Sequence, residues 1–346
     1  LMATWGGNQY EWTSPVIIGL GAAGLACWGL FALAETRATD PILPWSILTS
    51  RTFIVSTLVG MLAMGGMIGV LSYLPTYLQM VYGYSATASG LLLVPITVGM
   101  LVSSILSGVL VSRTDRYRIY PILGPLMAAG ASFWLSRLTT SSPVWQISAA
   151  TFIMGAGVGL FFQLLVTVVQ NALPVRHLGT ATSGNNFFRE VGVSLGASLI
   201  GAAFSSGLTS NLTDRIGALA RSADPAVLGS LAQFKDADTS SLTPALVNKL
   251  PTALHDAVAS SYADALLPIF GWMIPLFVAT SVIAVFLPEV PLSQKTAMEQ
   301  IAEAENEAES EVNEPTPREP DRAEEPTEQE PDMETAEQES AADAER

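Results

Sequence analysis

Residues 181–204, ATSGNNFFREVGVSLGASLIGAAF, have the length and apolar content of a membrane-spanning helix, yet they include two charged residues. Arg189 and Glu190 lie inside the segment. Each charge costs about 2.5–3.5 kcal/mol to insert, so a charge retained within a span is first interpreted as functional. At about 1.5 Å per residue, Glu190 lies about 13 Å from Ala181, near the middle of a hydrocarbon core about 30 Å thick.

Polar side chains recur every four residues along this predicted helix and form a stripe on one face. The stripe consists of Thr182, Asn186, Glu190, Ser194 and Ser198. Gly192 and Gly196 form a G-x-x-x-G pair, which predicts close approach of a second helix. Glu190 could be a proton-coupling or cation-binding carboxylate, and burial would favour its neutral form, as a proton carrier needs. The alternative is a structural role for Glu190, in an ion pair or an interhelical hydrogen bond.

The composition is that of an integral membrane protein. Of 346 residues, 49% are hydrophobic and 14% are charged, against about 25% charged in soluble domains. The net charge of -15 comes from residues 299–346, whose 19 acidic residues and three arginines give -16. The other 298 residues carry 13 basic and 12 acidic side chains, a balance of +1. The acidic segment cannot bury a core and is predicted to be disordered.

The sequence lacks the motifs that would indicate an enzyme. Cys27 is the only cysteine, which excludes an intrachain disulfide. The sequence has no zinc-ligand spacing, Walker loop or Rossmann glycine pattern, so we expect neither a metal nor a cofactor.

Long apolar runs predict seven membrane spans and therefore an all-α integral membrane fold. The predicted spans are residues 15–34, 53–80, 86–111, 120–135, 144–171, 181–204 and 264–287. Between them we predict an external interfacial loop at 1–14, a cytoplasmic connector at 35–52, an external loop at 206–262 and a disordered cytoplasmic tail at 289–346.

The orientation follows from the arginines in the short connecting segments. One side would carry Arg37, Arg51, Arg113, Arg116, Arg118 and Arg176. The short loops of the other side carry only Arg137. Because short basic loops stay in the cytoplasm, we place the first group and the C-terminus there.

Several segments together resemble one transporter family. They are WGGNQYEW (5–12), SYLPTYLQ (72–79), ASGLLLVP (88–95), QNALP (170–174) and FFREVGVSLG (187–196). The turn GVLVSRTDRYR (108–118) resembles the basic loop signature of the major facilitator superfamily, with Ser112 where an aspartate often stands. As a set, these segments are similar to the fourteen-span drug:proton antiporters of bacteria, especially the actinobacterial ones.

The resemblance implies an architecture of six spans, two inserted spans and six more. Residues 15–34 would be the second inserted span, and residues 53–288 the C-terminal six-span half. The chain would then be a portion that lacks the N-terminal half. The implied function is proton-driven efflux of amphipathic, cationic or antibiotic-like compounds across the plasma membrane. The implied partners are the substrate, protons, the lipid bilayer and the missing half, without nucleic acid.

Five residues are candidates for binding protons or substrate: Glu190, Arg189, Asn186, Gln163 and Tyr77. Arg189 alternatively snorkels or pairs with another helix, and Gln163 alternatively forms an interhelical hydrogen bond. Tyr77 alternatively belongs to an aromatic belt or to the packing.

Four residues of the basic turn form a candidate conformational latch: Arg113, Asp115, Arg116 and Arg118. The alternative is that these charges serve only the topology. A function of a different class also stays open, namely a non-transporting membrane sensor, scaffold or regulatory half-transporter with an acidic cytosolic tail.

Overall fold

The computed structural model describes residues 10, 13–38, 44–114, 116–172, 178–221, 243–247 and 250–288. Three predictions lie outside these residues: Asp115 of the proposed latch, Arg176 of a basic connector, and the tail from residue 289 onward.

The described residues are almost entirely helical. The helices are α1 (Pro15–Arg37), α2 (Trp45–Leu48), α3 (Arg51–Tyr82), α4 (Ala86–Leu91), α5 (Val94–Thr114), α6 (Ile119–Ser136), α7 (Val144–Asn171), α8 (Leu178–Arg221), α9 (Pro244–Val247) and α10 (Thr252–Ala284). With α4 and α5 taken together, seven helical segments of this part of the chain are long and apolar enough to cross a membrane. The predicted all-α membrane fold is therefore confirmed.

The third predicted span, residues 86–111, is interrupted near its start. Helix α4 ends at Leu91 and α5 begins at Val94, so Pro95 is the second residue of α5 rather than an interior residue. Proline has no N–H to donate and disfavours a helical conformation in the residue before it. With the break at residues 92–93, Pro95 falls in the first turn of α5, where its missing N–H costs no hydrogen bond.

Six membrane-crossing segments form one bundle around α3. Helix α3 packs against α7, α8 and α10, while α6 bridges α7 and α10 and α5 packs on α7. Helix α1 is different, because Ile17 is its only buried residue. It touches the bundle where the ring of Trp28 lies 6.1 Å from that of Phe187 on α8.

The contact between α3 and α8 is made by backbone against backbone. A Cβ atom added to Gly192 would overlap the carbonyl oxygen of Met61, and one added to Gly196 would overlap that of Gly65. A Cβ atom on Gly65 would lie 2.8 Å from the carbonyl oxygen of Gly192. The close helix approach predicted from Gly192 and Gly196 is thus present, with α3 as the partner.

Two helices extend well beyond their predicted ends. Helix α8 continues to Arg221, and α10 begins at Thr252, so the 206–262 segment assigned as a loop contains helix at both ends. At about 1.5 Å per residue, the 44 residues of α8 span about 66 Å, twice the hydrocarbon core. The extension is amphipathic, with Leu208 and Leu212 buried four residues apart.

We predict that Gly196→Leu lowers the thermal midpoint of the purified protein in detergent. The added side chain has no space against the α3 backbone, and overpacking typically costs about 1–3 kcal/mol. The matched control is Gly130→Leu on α6, where an added Cβ has no neighbour within 4 Å. Equal midpoints for the two variants would show that the glycine contact does not limit stability.

Candidate functional site

The polar stripe of α8 lies mainly on the face turned away from α3. Glu190 and Ser194 each stand two residues from Gly192, so each points about 160° around the helix from the α3 contact. Both are exposed among the described helices. The stripe is not uniformly open, because Ser198 is buried and its hydroxyl donates to the carbonyl oxygen of Ser194 at 2.8 Å.

Glu190 is a membrane-span carboxylate without a partner inside the described part of the chain. No hydrogen bond or ion pair joins its side chain to another described residue. Arg189 does not neutralise it, since consecutive helical residues point about 100° apart. The burial expected for Glu190 is therefore absent among the described helices, and the stripe presents an open acidic group.

Arg189 is turned toward α7 instead. Its Cζ atom lies 4.6 Å from the centre of the Phe162 ring, within the range of a cation–π interaction. Its Nε atom is buried and has no hydrogen-bond partner among the described residues. The guanidinium is thus held by a ring face, which attracts the charge but accepts no conventional N–H hydrogen bond.

Hydrogen bonds between neutral side chains join the N-terminal part of α8 to α3 and α7. The Asn185 side chain donates its Nδ2 to the Thr57 hydroxyl of α3 at 3.1 Å, and both residues are buried. Gln170 of α7 donates its Nε2 to the Thr182 hydroxyl at 3.1 Å. The sequence-based stripe selected Asn186 and missed Asn185. The signal that would find Asn185 is its position seven residues before Gly192, on the glycine face.

The other candidate residues lie in different surroundings. Gln163 is exposed on α7, and Asn186 is half-buried on α8. Tyr77 is fully buried on α3, with its ring edge-on to that of Tyr82 at 6.0 Å. This placement fits the packing interpretation of Tyr77 and leaves Gln163 and Glu190 as the exposed candidates, with Asn186 and Arg189 half-buried.

An apolar cavity of about 490 Å³ lies between α3, α8 and α10. Gly65, Gly192 and Gly196 contribute to it, and Trp272 is one of its exposed lining residues. Apart from the Trp272 ring, every lining residue is aliphatic, a methionine or a glycine, so the cavity contains no charged side chain. It is separate from the open face that carries Glu190.

Opposite charges join α8 and α10 in the part that sequence analysis assigned to a loop. Arg215 forms a salt bridge with Asp264, and both side chains are about half exposed. Nearer the bundle, the Phe204 ring lies 4.9 Å from the rings of both Tyr73 and Tyr262. Since α8 and α10 extend past their predicted ends, these contacts link three helices there.

The basic turn between α5 and α6 contacts the end of α10. Arg118 donates to the carbonyl oxygen of Val285, and the Tyr117 hydroxyl donates to that of Pro288. A cation is favourable beside the last carbonyl groups of a helix. Arg113 and Arg116 are exposed, so Arg118 is the one described residue of the proposed latch for which a contact with another helix is seen, and the latch stays a prediction.

The sequence comparisons agree with this architecture. The family model described as Major Facilitator Superfamily matches residues 1–197, more than half of the chain. The chain belongs to the major facilitator superfamily. Since the proteins of this superfamily are transporters, the expectation that the chain is not an enzyme is confirmed.

Relatives of this superfamily member include named drug transporters. An uncharacterized MFS-type transporter of Mycobacterium tuberculosis is 36% identical over 296 residues, which are 85% of this chain and 41% of the relative. The multidrug transporter protein MdtP of Bacillus subtilis is 30% identical over 314 residues, or 87% of this chain and 58% of the relative. A tetracycline resistance determinant of Streptomyces rimosus is 29% identical over 56% of each chain.

These matches confirm the predicted kinship with drug-efflux proteins of the superfamily. The chain spans about half the length of the curated relatives it matches. The fourteen-span layout and the assignment to the C-terminal half stay predictions.

We predict that Thr57→Val destabilises the protein, because it leaves the buried Asn185 amide without its acceptor. Interhelical hydrogen bonds in membranes are worth about 0.6 kcal/mol on average and at most about 1.7 kcal/mol. Thr167→Val is the control, since the Thr167 hydroxyl donates only within α7, to the Gln163 carbonyl oxygen. The measurement is unfolding of purified protein in mixed micelles, and equal stability of the two variants would contradict the assigned role of Asn185.

Proposed function

We propose that this chain is part of a proton-driven exporter of amphipathic, drug-like or antibiotic-like compounds. The support comes from two sources. Its relatives include proteins named as a multidrug transporter and a tetracycline resistance determinant. Its most unusual feature is an open carboxylate on a membrane-crossing helix.

Glu190 is the single observation that carries the proposal. A carboxylate within a span is retained against a large insertion cost, and such groups commonly serve as proton relays. Glu190 is exposed on the open face of α8, and the absence of a partner among the described residues leaves its oxygens free to take a proton. A carboxylate locked into an ion pair or a buried hydrogen bond would lack both properties.

Alternating access supplies the rest of the mechanism. In transporters of this architecture, two halves rock about a site near the midplane. Glu190 would bind a proton while the site faces outward and substrate leaves, and it would release that proton when the site faces the cytoplasm. Antiport follows if substrate and proton occupy the site in alternation, so that protonation of Glu190 accompanies substrate release and its deprotonation accompanies loading.

We further propose that the active transporter contains spans beyond those of this chain. The chain matches only 41% and 58% of two of its longer relatives. The face of α8 that carries Glu190 and Ser194 is not covered by the described bundle helices. A second set of spans, the predicted N-terminal half, would close that side and form the other wall of the site.

The proposed setting is the plasma membrane of a bacterial cell, with the arginine-bearing connectors and the acidic C-terminus in the cytoplasm. In this orientation Arg113, Asp115, Arg116 and Arg118 lie on the inner surface. The Arg118 contact with α10 anchors the turn within the bundle. The remaining charges would latch one conformation by pairing across to the second half.

We predict that Glu190→Gln abolishes protonophore-sensitive export of a fluorescent amphipathic dye, because an amide of nearly the same shape does not carry the proton. The assay is dye export from energised cells that express the complete transporter proposed above, with membrane expression measured for each variant. Asp214→Asn, an exposed acidic position farther along α8, is the control and should export normally. Unchanged proton-coupled export by Glu190→Gln would remove Glu190 from the mechanism.

A further inference from the structure

The second charge of the predicted span 181–204, Arg189, has no role in the proton mechanism. Arg189 lies on a membrane-crossing helix and is half-buried, with its guanidinium over the Phe162 ring of α7 at 4.6 Å. An arginine guanidinium has five N–H donors and stays charged in proteins. No hydrogen bond or ion pair joins the Arg189 side chain to another described residue.

This arrangement leaves a positive charge uncompensated within a span. The attraction of a ring face for a cation is weaker than the cost of inserting that charge into a span. Arginines in membrane spans commonly pair with another ionisable residue or with backbone carbonyl groups, or they face an aqueous cavity. The nearest acidic residue in sequence, Glu190, points to a different side of α8.

Phe162 does more than offset part of the charge. A ring under the guanidinium restricts its position, and the buried Nε atom has no acceptor among the described residues. A planar guanidinium that is already oriented loses less entropy when it binds a carboxylate in the two-bond geometry that arginine favours. The pair therefore has the features of a preorganised anion receptor at a helix–helix boundary.

We propose that Arg189, positioned by Phe162, binds an anionic group on the exported compound, such as a carboxylate. This inference rests on the proposed export function and narrows its substrate class to amphipathic molecules with an acidic head group. It differs from the cationic class expected from the sequence. In this assignment Arg189 recognises the substrate and Glu190 carries the proton.

The test compares two rhodamine dyes that differ in one group, a free carboxylate in one and its methyl ester in the other. Arg189→Gln should lower export of the carboxylate dye by about tenfold or more, the size expected for loss of a charge-assisted hydrogen bond. Export of the ester dye should stay within about twofold, since the ester offers no anionic acceptor. Arg189→Lys, which keeps the charge but not the planar fork, should give intermediate export of the carboxylate dye.

The chain offers a matched control for the aromatic contact. Arg137 at the end of α6 lies over the Phe133 ring at 5.1 Å, outside the α7–α8 boundary. Arg137→Gln removes an arginine–phenylalanine contact of the same kind and should leave export of both dyes unchanged. Expression and thermal midpoint in detergent are measured for every variant, so that a folding defect is recognised.

Two results would overturn the inference. If Arg189→Gln reduces export of both dyes equally, Arg189 has a structural role. If it leaves export of the carboxylate dye unchanged, Arg189 does not contact the acidic group. Failure of the proposed function is distinguishable, because the wild type would then export neither dye in a protonophore-sensitive way. In that case fluorescence anisotropy with purified protein decides the inference: carboxylate-dye binding must weaken about tenfold in Arg189→Gln, and equal binding refutes it.

Discussion

The direct contact between the backbones of α3 and α8 is the constraint on which the bundle depends. Gly65, Gly192 and Gly196 permit an approach that any Cβ atom would prevent. In a membrane, where lipid is as apolar as a leucine side chain, close packing replaces the hydrophobic effect as the force between helices. The glycine face therefore determines the rotation of α8 about its own axis.

That rotation explains why the polar side chains lie where they do. With Gly192 and Gly196 against α3, Glu190 is directed about 160° away from the contact and onto the open face. Asn185 lies on the glycine side and meets Thr57. Arg189 lies between these two directions and reaches Phe162 of α7. This one packing contact therefore directs Asn185, Arg189 and Glu190 to three different sides of α8, although they lie within six residues of each other.

The arrangement suggests that the adjacent charges of Arg189 and Glu190 have different functions. A cation and an acid that neutralised each other would serve neither substrate nor proton. Their separation by about 100° keeps them apart at almost the same depth in the membrane. Transport that couples binding of an anion to movement of a proton requires two such groups close enough to respond to each other and not directly paired.

The sequence by itself determined the fold class, the positions of the seven spans, the glycine contact and the polar stripe. Each follows from local properties: apolar length, helical periodicity and the absence of a side chain at Gly192 and Gly196. The break before Pro95 and the continuation of α8 to Arg221 were missed, because helix ends depend on tertiary neighbours such as Asp264, which pairs with Arg215. Only the tertiary structure decided that Tyr77 is buried, that Asn185 rather than Asn186 makes the buried bond, and that Arg189 faces Phe162. Those outcomes depend on which helix lies beside each face, and the periodicity of a single helix does not contain that information.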